Sequence, residues 1–342
     1  MKSHSADSPA ALRSVSVRAP ARLHLGFLDL NASIGRRFGS IGLAIGSHHT
    51  SLTVSTAEHF ELSGMTVSAE TQDKLQNLTE QFNTQFAAAL PADHQNIRID
   101  VHDLIPEHAG FGSGTQLALT LGKALSQFHQ LDSNTHDIAQ ALGRGKRSGI
   151  GIATFDHGGF VVDGGLKPEQ TVPPMLVQQH YPQDWRIVLI MDPHHQGIHG
   201  QTEKQAFRDL PPFPLAQSQA ICHLTLMQLL PALAEHDIDQ FGAAITDIQG
   251  LIGDHFAPAQ GGRYTSPRVA ACLHQAQQLG HRGIAQSSWG PTGCVFVSSE
   301  QQALTLIQQL SDYVTTTCDA ELRPTFLSAH ADNHGAIIET AA

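Results

Sequence analysis

Pro106-Glu-His-Ala-Gly-Phe-Gly-Ser-Gly-Thr-Gln116 is the stretch on which the reading of this chain turns. Glycines at 110, 112 and 114 allow backbone amides to approach a ligand closely. Leu117, Leu121, Ala124, Leu125 and Phe128 then recur at i, i+4, i+7, i+8 and i+11, the buried face of a helix. A glycine loop that opens a helix presents unsatisfied N–H groups and the positive end of the helix dipole, and phosphate is the natural guest. No Gly-Lys-Ser/Thr closes it as a Walker loop, and Thr115 stands where a third dinucleotide-binding glycine would be, so it is neither of those two motifs.

Upstream, residues 15–17, 23–30, 40–45 and 52–56 run apolar or alternate as strands, a polar helix is expected over 70–90, and Ile97, Ile99 and Val101 alternate as a further strand. Several strands thus precede the first strong helix, which predicts an α+β fold and not a doubly wound one. Downstream come a short helix, the basic segment 143–151, and residues 152–165, which read as a hairpin turning at Gly158-Gly159 and Gly164-Gly165. A proline-rich linker is expected at 167–183, then a buried strand over 185–191, helices over 201–207, 216–233, 238–252 and 267–279, and strands over 283–286 and 294–297 around a glycine turn at 287–293. The expected organisation is a disordered tail over 1–13, a domain over 14–166, the linker, and a second domain over 184–342.

At 342 residues the chain is long enough for about two domains. Charged residues are 15 % and hydrophobic ones 41 %, a globular balance, and 20 − 31 gives a net charge of −11, which argues against a nucleic-acid partner. Any anion site must therefore be built locally. No apolar run approaches the roughly 18 residues of a membrane span, and the first 13 residues lack a signal peptide's apolar centre, so a cytoplasmic protein with no membrane partner is expected. Cys222, Cys272, Cys294 and Cys318 form no C-x-x-C pair and read as buried thiols. His194, His195 and His199 lack a carboxylate or cysteine at metal spacing and read as a compositional habit or as substrate contacts.

Two further groups could carry chemistry. Arg144, Lys146 and Arg147 pool three cations in four residues, a solvated basic turn or a means of neutralising a pyrophosphate. Arg22 and His24 fall on one face of the first strand pair, near Asp29, Arg36 and Arg37.

The order of these motifs resembles the GHMP small-molecule kinase superfamily, and the likeness spans nearly the whole chain from Val15. Ala21-Arg-Leu-His-Leu-Gly-Phe-Leu-Asp29, Gly110-Phe-Gly-Ser-Gly-Thr-Gln116, Gly143-Arg-Gly-Lys-Arg-Ser-Gly-Ile-Gly151 and Gly158-Gly-Phe-Val-Val-Asp-Gly-Gly165 are similar to one branch, the β-ribofuranosylaminobenzene 5′-phosphate synthases. The resemblance implies a two-domain fold, the first domain of the ribosomal-protein-S5 domain 2 type and the second a ferredoxin-like α/β sandwich. Kinases of the superfamily carry a second serine where this chain has Gly114, and an activating Asp where it has Gly151. Both departures disfavour an ATP-dependent kinase, the first alternative. A non-catalytic ligand-binding protein on the same fold is the second.

The branch's implied reaction joins 4-aminobenzoate to phosphoribosyl pyrophosphate and releases carbon dioxide and pyrophosphate, on the way to methanopterin-type carriers. On that basis Gly110, Gly112, Ser113, Gly114, Thr115 and Gln116 are assigned to the phosphate cradle. Arg144, Lys146, Arg147 and Ser148 are assigned to the pyrophosphate, with Arg147 catalytic, and Arg22 and His24 to substrate orientation. With that donor implied, neither ATP nor NAD is expected; magnesium is expected on the pyrophosphate, with Asp29, Glu107 and Asp163 as candidate ligands, and a homodimer is the default assembly. The usual phosphoribosyltransferase signature is absent; Leu189-Ile-Met-Asp-Pro193 has one acid where it needs two.

Overall fold

The computed structural model describes residues 13–65, 67–197, 200, 205 and 208–341. The expected tail therefore lies outside the described residues except for Arg13, as does most of the helix expected over 201–207, together with His199. The described residues form two sheets with helices against them, the α+β arrangement expected.

The first sheet is built on two long strands, β1 (Ser14–Asp29) and β2 (Phe38–Thr56), each joining two segments that the sequence reads as separate strands. They pair antiparallel with register shifts at Pro20/Ala21 and His24/Gly26. Such irregularities re-aim a strand. Before the first shift Val15, Val17 and Ala19 pack with helices α1 (Ala69–Gln85) and α2 (Ser113–Phe128); beyond it Ala21, Leu23 and Leu25 join a second core. Strands β3 (Glu61–Gly64), β4 (Ile97–Asp103), β5 (Phe160–Asp163) and β6 (Met175–Gln179) extend the sheet. Asn134 caps the short α3 (Thr135–Ala141) through a capping box with Asp137.

The segment read as a hairpin over 152–165 is instead helix α4 (Ile150–His157) followed by β5. The pair Gly158-Gly159, at φ +63° and +71°, ends a buried helix here and does not turn a hairpin. Nor is 167–183 a free linker, because β6 within it pairs antiparallel with β5.

The second sheet runs β10-β7-β9-β8, from β7 (Arg186–Met191), β8 (Ile284–Gln286), β9 (Gly293–Val297) and β10 (Thr325–Ala329). Its helices are α5 (Leu215–Leu224), α6 (Leu230–Glu235), α7 (Ile238–Gln260), α8 (Pro267–Gln278) and α9 (Glu300–Thr317). A π turn, Thr225–Leu229, interrupts the helix expected over 216–233. Pro231 has no amide to donate and its ring crowds the preceding turn, so the ladder widens just before it. Ser266 caps α8 ahead of Pro267, whose missing amide costs nothing at the first helical position.

The chain does not divide cleanly at 184. Strand β11 (Ile337–Ala341) returns to pair with β1, and Ala331 bridges Ile45. One core is shared by both sheets: Leu23 and Leu25 of β1 pack with Ile187 and Leu189 of β7, Phe241 and Ile248 of α7, and Phe296 of β9. Apolar burial of this extent holds β1 and its neighbours rigidly under the cleft described next. No helix among the described residues is long and apolar enough to cross a membrane.

Candidate active site

The glycine loop opens α2 as its sequence predicts. Gly112 occupies the N-cap position at φ +80° and supplies no side-chain cap. The Thr115 and Gln116 amides bond back to the Gly112 carbonyl, so the amides left for a ligand in the first turn are those of Ser113 and Gly114. A Cβ on Gly112 would lie 2.7 Å from Arg22 Nε, so the backbone and this guanidinium can share the space only because residue 112 is glycine.

Three segments distant in sequence meet here. Arg22 Nη1 donates to the Gly110 carbonyl at 2.9 Å, and the Arg22 amide donates to the Phe111 carbonyl. From the C-terminal turn, Ser287 Oγ donates to the same Gly110 carbonyl at 2.7 Å and accepts from the His24 amide at 3.1 Å. The Ser288 amide then donates to the His24 carbonyl. Gly290 lies so close to Gly110 that a Cβ on it would sit 2.5 Å from the Gly110 Cα. Ser287 is the residue sequence reading missed: it lies in a turn recognised for its glycines, but only the fold shows that its hydroxyl ties β1 to the glycine loop.

Between these segments lies a cleft of about 320 Å³, lined by Arg22, the first turn of α2, Arg144, His108, Ser288 and Trp289. Arg144 Nη1 lies 3.8 Å from where a Gly114 Cβ would be, its Nε is buried without a hydrogen-bond partner among the described residues, and burial lowers its pKa. A desolvated guanidinium beside a helix N-terminus is a costly arrangement that an anion would compensate. A narrower slot shares Ser288 and Trp289 with the cleft and is walled by Phe27, Phe256 and His24.

His24 is buried, and desolvation, with Arg22 and then Arg147 nearby, lowers its pKa to about 3. Its Nε2 has no hydrogen-bond partner among the described residues. The imidazole is therefore neutral near pH 7 and suited to orienting a ligand, not to delivering a proton. Arg147 enters the same environment, whereas Lys146 is exposed.

Other expected assignments change. The Gln116 side chain is fully buried and donates to the Gly151 carbonyl at 2.9 Å, joining α2 to α4 away from the cleft lining. Thr115 lines the cleft but also packs on Gly151, where a Cβ would fall 2.7 Å from Thr115 Cγ2. Ser148 Oγ accepts from the Ile150 amide at the start of α4.

The three carboxylates named for magnesium have separate surroundings. Asp29 Oδ1 accepts from the amides of Asn31 and Ala32 and from Ser218 Oγ. Asp163 takes the Gly149 and Gly165 amides on its two oxygens. Both therefore act as anchors of the backbone. Glu107 precedes His108, which lines the cleft; its carboxylate, with Glu70 and His108, forms a group of ligand atoms within 4.8 Å of one another, and Lys74 Nζ already sits 2.9 Å from it. His194 and His195 belong to no such group among the described residues. Of the four cysteines expected to be buried thiols, Cys272 and Cys294 are buried, Cys318 is half-buried and Cys222 is exposed.

Comparison with known proteins matches this geometry to a family. The GHMP kinases N terminal domain matches residues 75–159, which hold the glycine loop and α2, and the GHMP kinases C terminal family matches 229–315. A β-ribofuranosylphenol 5′-phosphate synthase of Archaeoglobus fulgidus is 35 % identical over 311 residues, 87 % of this chain and 91 % of the relative. The chain belongs to the β-ribofuranosylphenol 5′-phosphate synthase family. A member from Methanocaldococcus jannaschii is 32 % identical over 252 residues, 69 % of this chain and 76 % of its own length. Among solved structures, homoserine kinase from Cytophaga hutchinsonii superposes with a TM-score of 0.68 at 16 % identity, covering 99 % of both chains. Mevalonate diphosphate decarboxylase from Staphylococcus aureus gives 0.65 at 17 % identity, covering 96 % of this chain and 98 % of its own. These two establish the GHMP fold, as the order of motifs implied.

Proposed function

We propose that this protein is a synthase of the kind its family name states, joining the anomeric carbon of phosphoribosyl pyrophosphate to the ring of a para-substituted benzoate. The observation that carries this reading is the half-buried Arg144, whose Nε is buried without a hydrogen-bond partner among the described residues, beside the two ligand-facing amides of α2, an anion cradle built without an activating carboxylate. Gly151 stands where a superfamily kinase has its base, and Thr115 packs against it.

The reaction needs no such base. The ribose C1–O bond to pyrophosphate breaks with its electron pair going to the leaving group, and the ring carbon bearing the carboxylate attacks the oxocarbenium-like C1. The C–C bond to the carboxylate then breaks, its electrons restore the aromatic ring, and carbon dioxide departs. No proton is removed from the ring. The protein's tasks are to align two reactants and to stabilise charge on the departing pyrophosphate. The relatives are named for a phenol, a hydroxyl where the acceptor implied by the resemblance carries an amine, and the sequence is compatible with either acceptor. Either substituent's lone pair enriches the attacking carbon, so 4-hydroxybenzoate and 4-aminobenzoate both belong in the assay.

In this reading the Ser113 and Gly114 amides with Arg144 receive phosphate oxygens, Arg147 follows the leaving pyrophosphate, and neutral His24 with Arg22 sets the acceptor's place. Magnesium supplies charge neutralisation on the pyrophosphate. Because Asp29 and Asp163 hold backbone amides, it would be held mainly by the substrate's own oxygens, with Glu107, next in sequence to the cleft-lining His108, as the remaining candidate of the three carboxylates.

Steady-state kinetics of Arg147→Ala test the assignment. A cation that meets growing charge binds the transition state better than the ground state, so kcat should fall about 100-fold and the KM for phosphoribosyl pyrophosphate should rise, with the acceptor KM within about twofold. Arg147→Lys should recover part of kcat, since it keeps the charge but not the planar fork. A rise in the acceptor KM alone would place Arg147 at the benzoate carboxylate instead.

A further inference from the structure

Asp163 is 1 % exposed, at the end of β5. Its Oδ2 accepts from the Gly149 amide at 2.8 Å, with Ser148 Oγ 3.5 Å away, and its Oδ1 accepts from the Gly165 amide at 2.9 Å. Gly149 is the C-terminal end of the segment that carries Arg144 and Arg147. The other end is tied by the Arg144 amide to the Ala139 carbonyl of α3. We infer that Asp163 is a positioning residue: its buried carboxylate fixes the 143–149 segment and thereby sets where Arg144 stands in the cleft and where Arg147 stands near His24. This rests on the reading that the cleft takes phosphoribosyl pyrophosphate.

The carboxylate form is needed because two N–H donors point at its two oxygens. A protonated acid or an amide presents a donor to one of them and must release it. Burial raises the Asp163 pKa to about 6, opposed by the Gly165 and Gly149 amides and by Ser40. The charged groups around it are Arg36, which donates to the Gly164 and Gly165 carbonyls, and His136 of α3 with Asp156 and His157 of α4, which line the small hollow it borders. Folding with a raised carboxylate pKa is penalised above pH 6, and the penalty is relieved as the pH falls toward the unfolded value near 3.8. Stability alone would therefore favour an uncharged residue here, whereas ligand binding requires the charge.

The test is calorimetric binding of phosphoribosyl pyrophosphate to the wild type and to Asp163→Asn across pH 7.5 to 5. The variant should bind at least about 10-fold more weakly at pH 7.5, and the gap should close toward unity at pH 5 as the wild-type carboxylate takes up its proton. Taking the ratio cancels the ligand's own titration. Equal affinity at pH 7.5, or a gap that does not change with pH, would overturn the inference. Hydrogen exchange of the wild-type chain covers the case in which the variant does not fold: the Gly149 and Gly165 amides should lose protection below pH 6, and retained protection at pH 5 would overturn it equally. If the wild type binds no phosphoribosyl pyrophosphate at all, the reading of the reaction fails, while the exchange measurement still judges Asp163.

Discussion

Gly114→Asp should lose turnover by about 1,000-fold or more while the protein melts as well as the wild type. A Cβ at position 114 meets nothing closer than Arg144 Nη1 at 3.8 Å, so the side chain enters open space. Residue 114 lies in the first turn of α2, where a carboxylate complements the helix dipole by about 0.3–1 kcal/mol, enough to hold or slightly raise Tm. The same carboxylate would pair with Arg144 and occupy the place proposed for a phosphate oxygen. Ligand is thus excluded by charge and by an internal competitor, with the fold untouched. Kinetics and a thermal melt on one preparation check both halves, and full activity with a normal melt would remove the loop from the site.

Arg144→Ala should raise the KM for phosphoribosyl pyrophosphate about 10- to 100-fold, the worth of one charge-assisted hydrogen bond to a phosphate. Its effect on stability has the opposite sign. In the ligand-free protein the guanidinium is desolvated and its Nε makes no bond among the described residues, so its removal relieves a penalty. The melting temperature without ligand should be unchanged or higher, and the rise in Tm that saturating phosphoribosyl pyrophosphate gives the wild type should shrink. A destabilised variant with a normal KM would make Arg144 a structural residue.

The sequence carried the parts of this site that are local. The glycine loop that opens a helix, the buried face of α2 and the basic segment at 143–151 follow from spacing and residue type, and the order of motifs implied the family. Relations across the chain were not legible in it. Nothing in Ser287 shows that its hydroxyl meets Gly110, and nothing in Gln116 shows that it reaches Gly151. Asp163 is a candidate metal ligand in sequence only because the implied pyrophosphate chemistry calls for magnesium, yet in the fold its partners are amides. The hairpin expected over 152–165 failed for a related reason. Paired glycines mark a reversal of the chain, but whether a strand or a helix precedes it depends on packing, and Ile150, Gly151 and Phe155 are buried as helix α4 against β1 and β2. Strand β11 could not be placed on β1 from the sequence either, since pairing over more than 300 residues leaves no periodic trace.

The most direct measurement of the central claim is release of labelled carbon dioxide. The protein is incubated with magnesium, phosphoribosyl pyrophosphate and carboxyl-labelled 4-hydroxybenzoate or 4-aminobenzoate, and the gas is counted against pyrophosphate formed. The account expects carbon dioxide and pyrophosphate to appear in equal amounts, to depend on both substrates, and to be lost in Gly114→Asp. Failure to release carbon dioxide from either acid, together with ATP-dependent phosphorylation of a small alcohol, would contradict it.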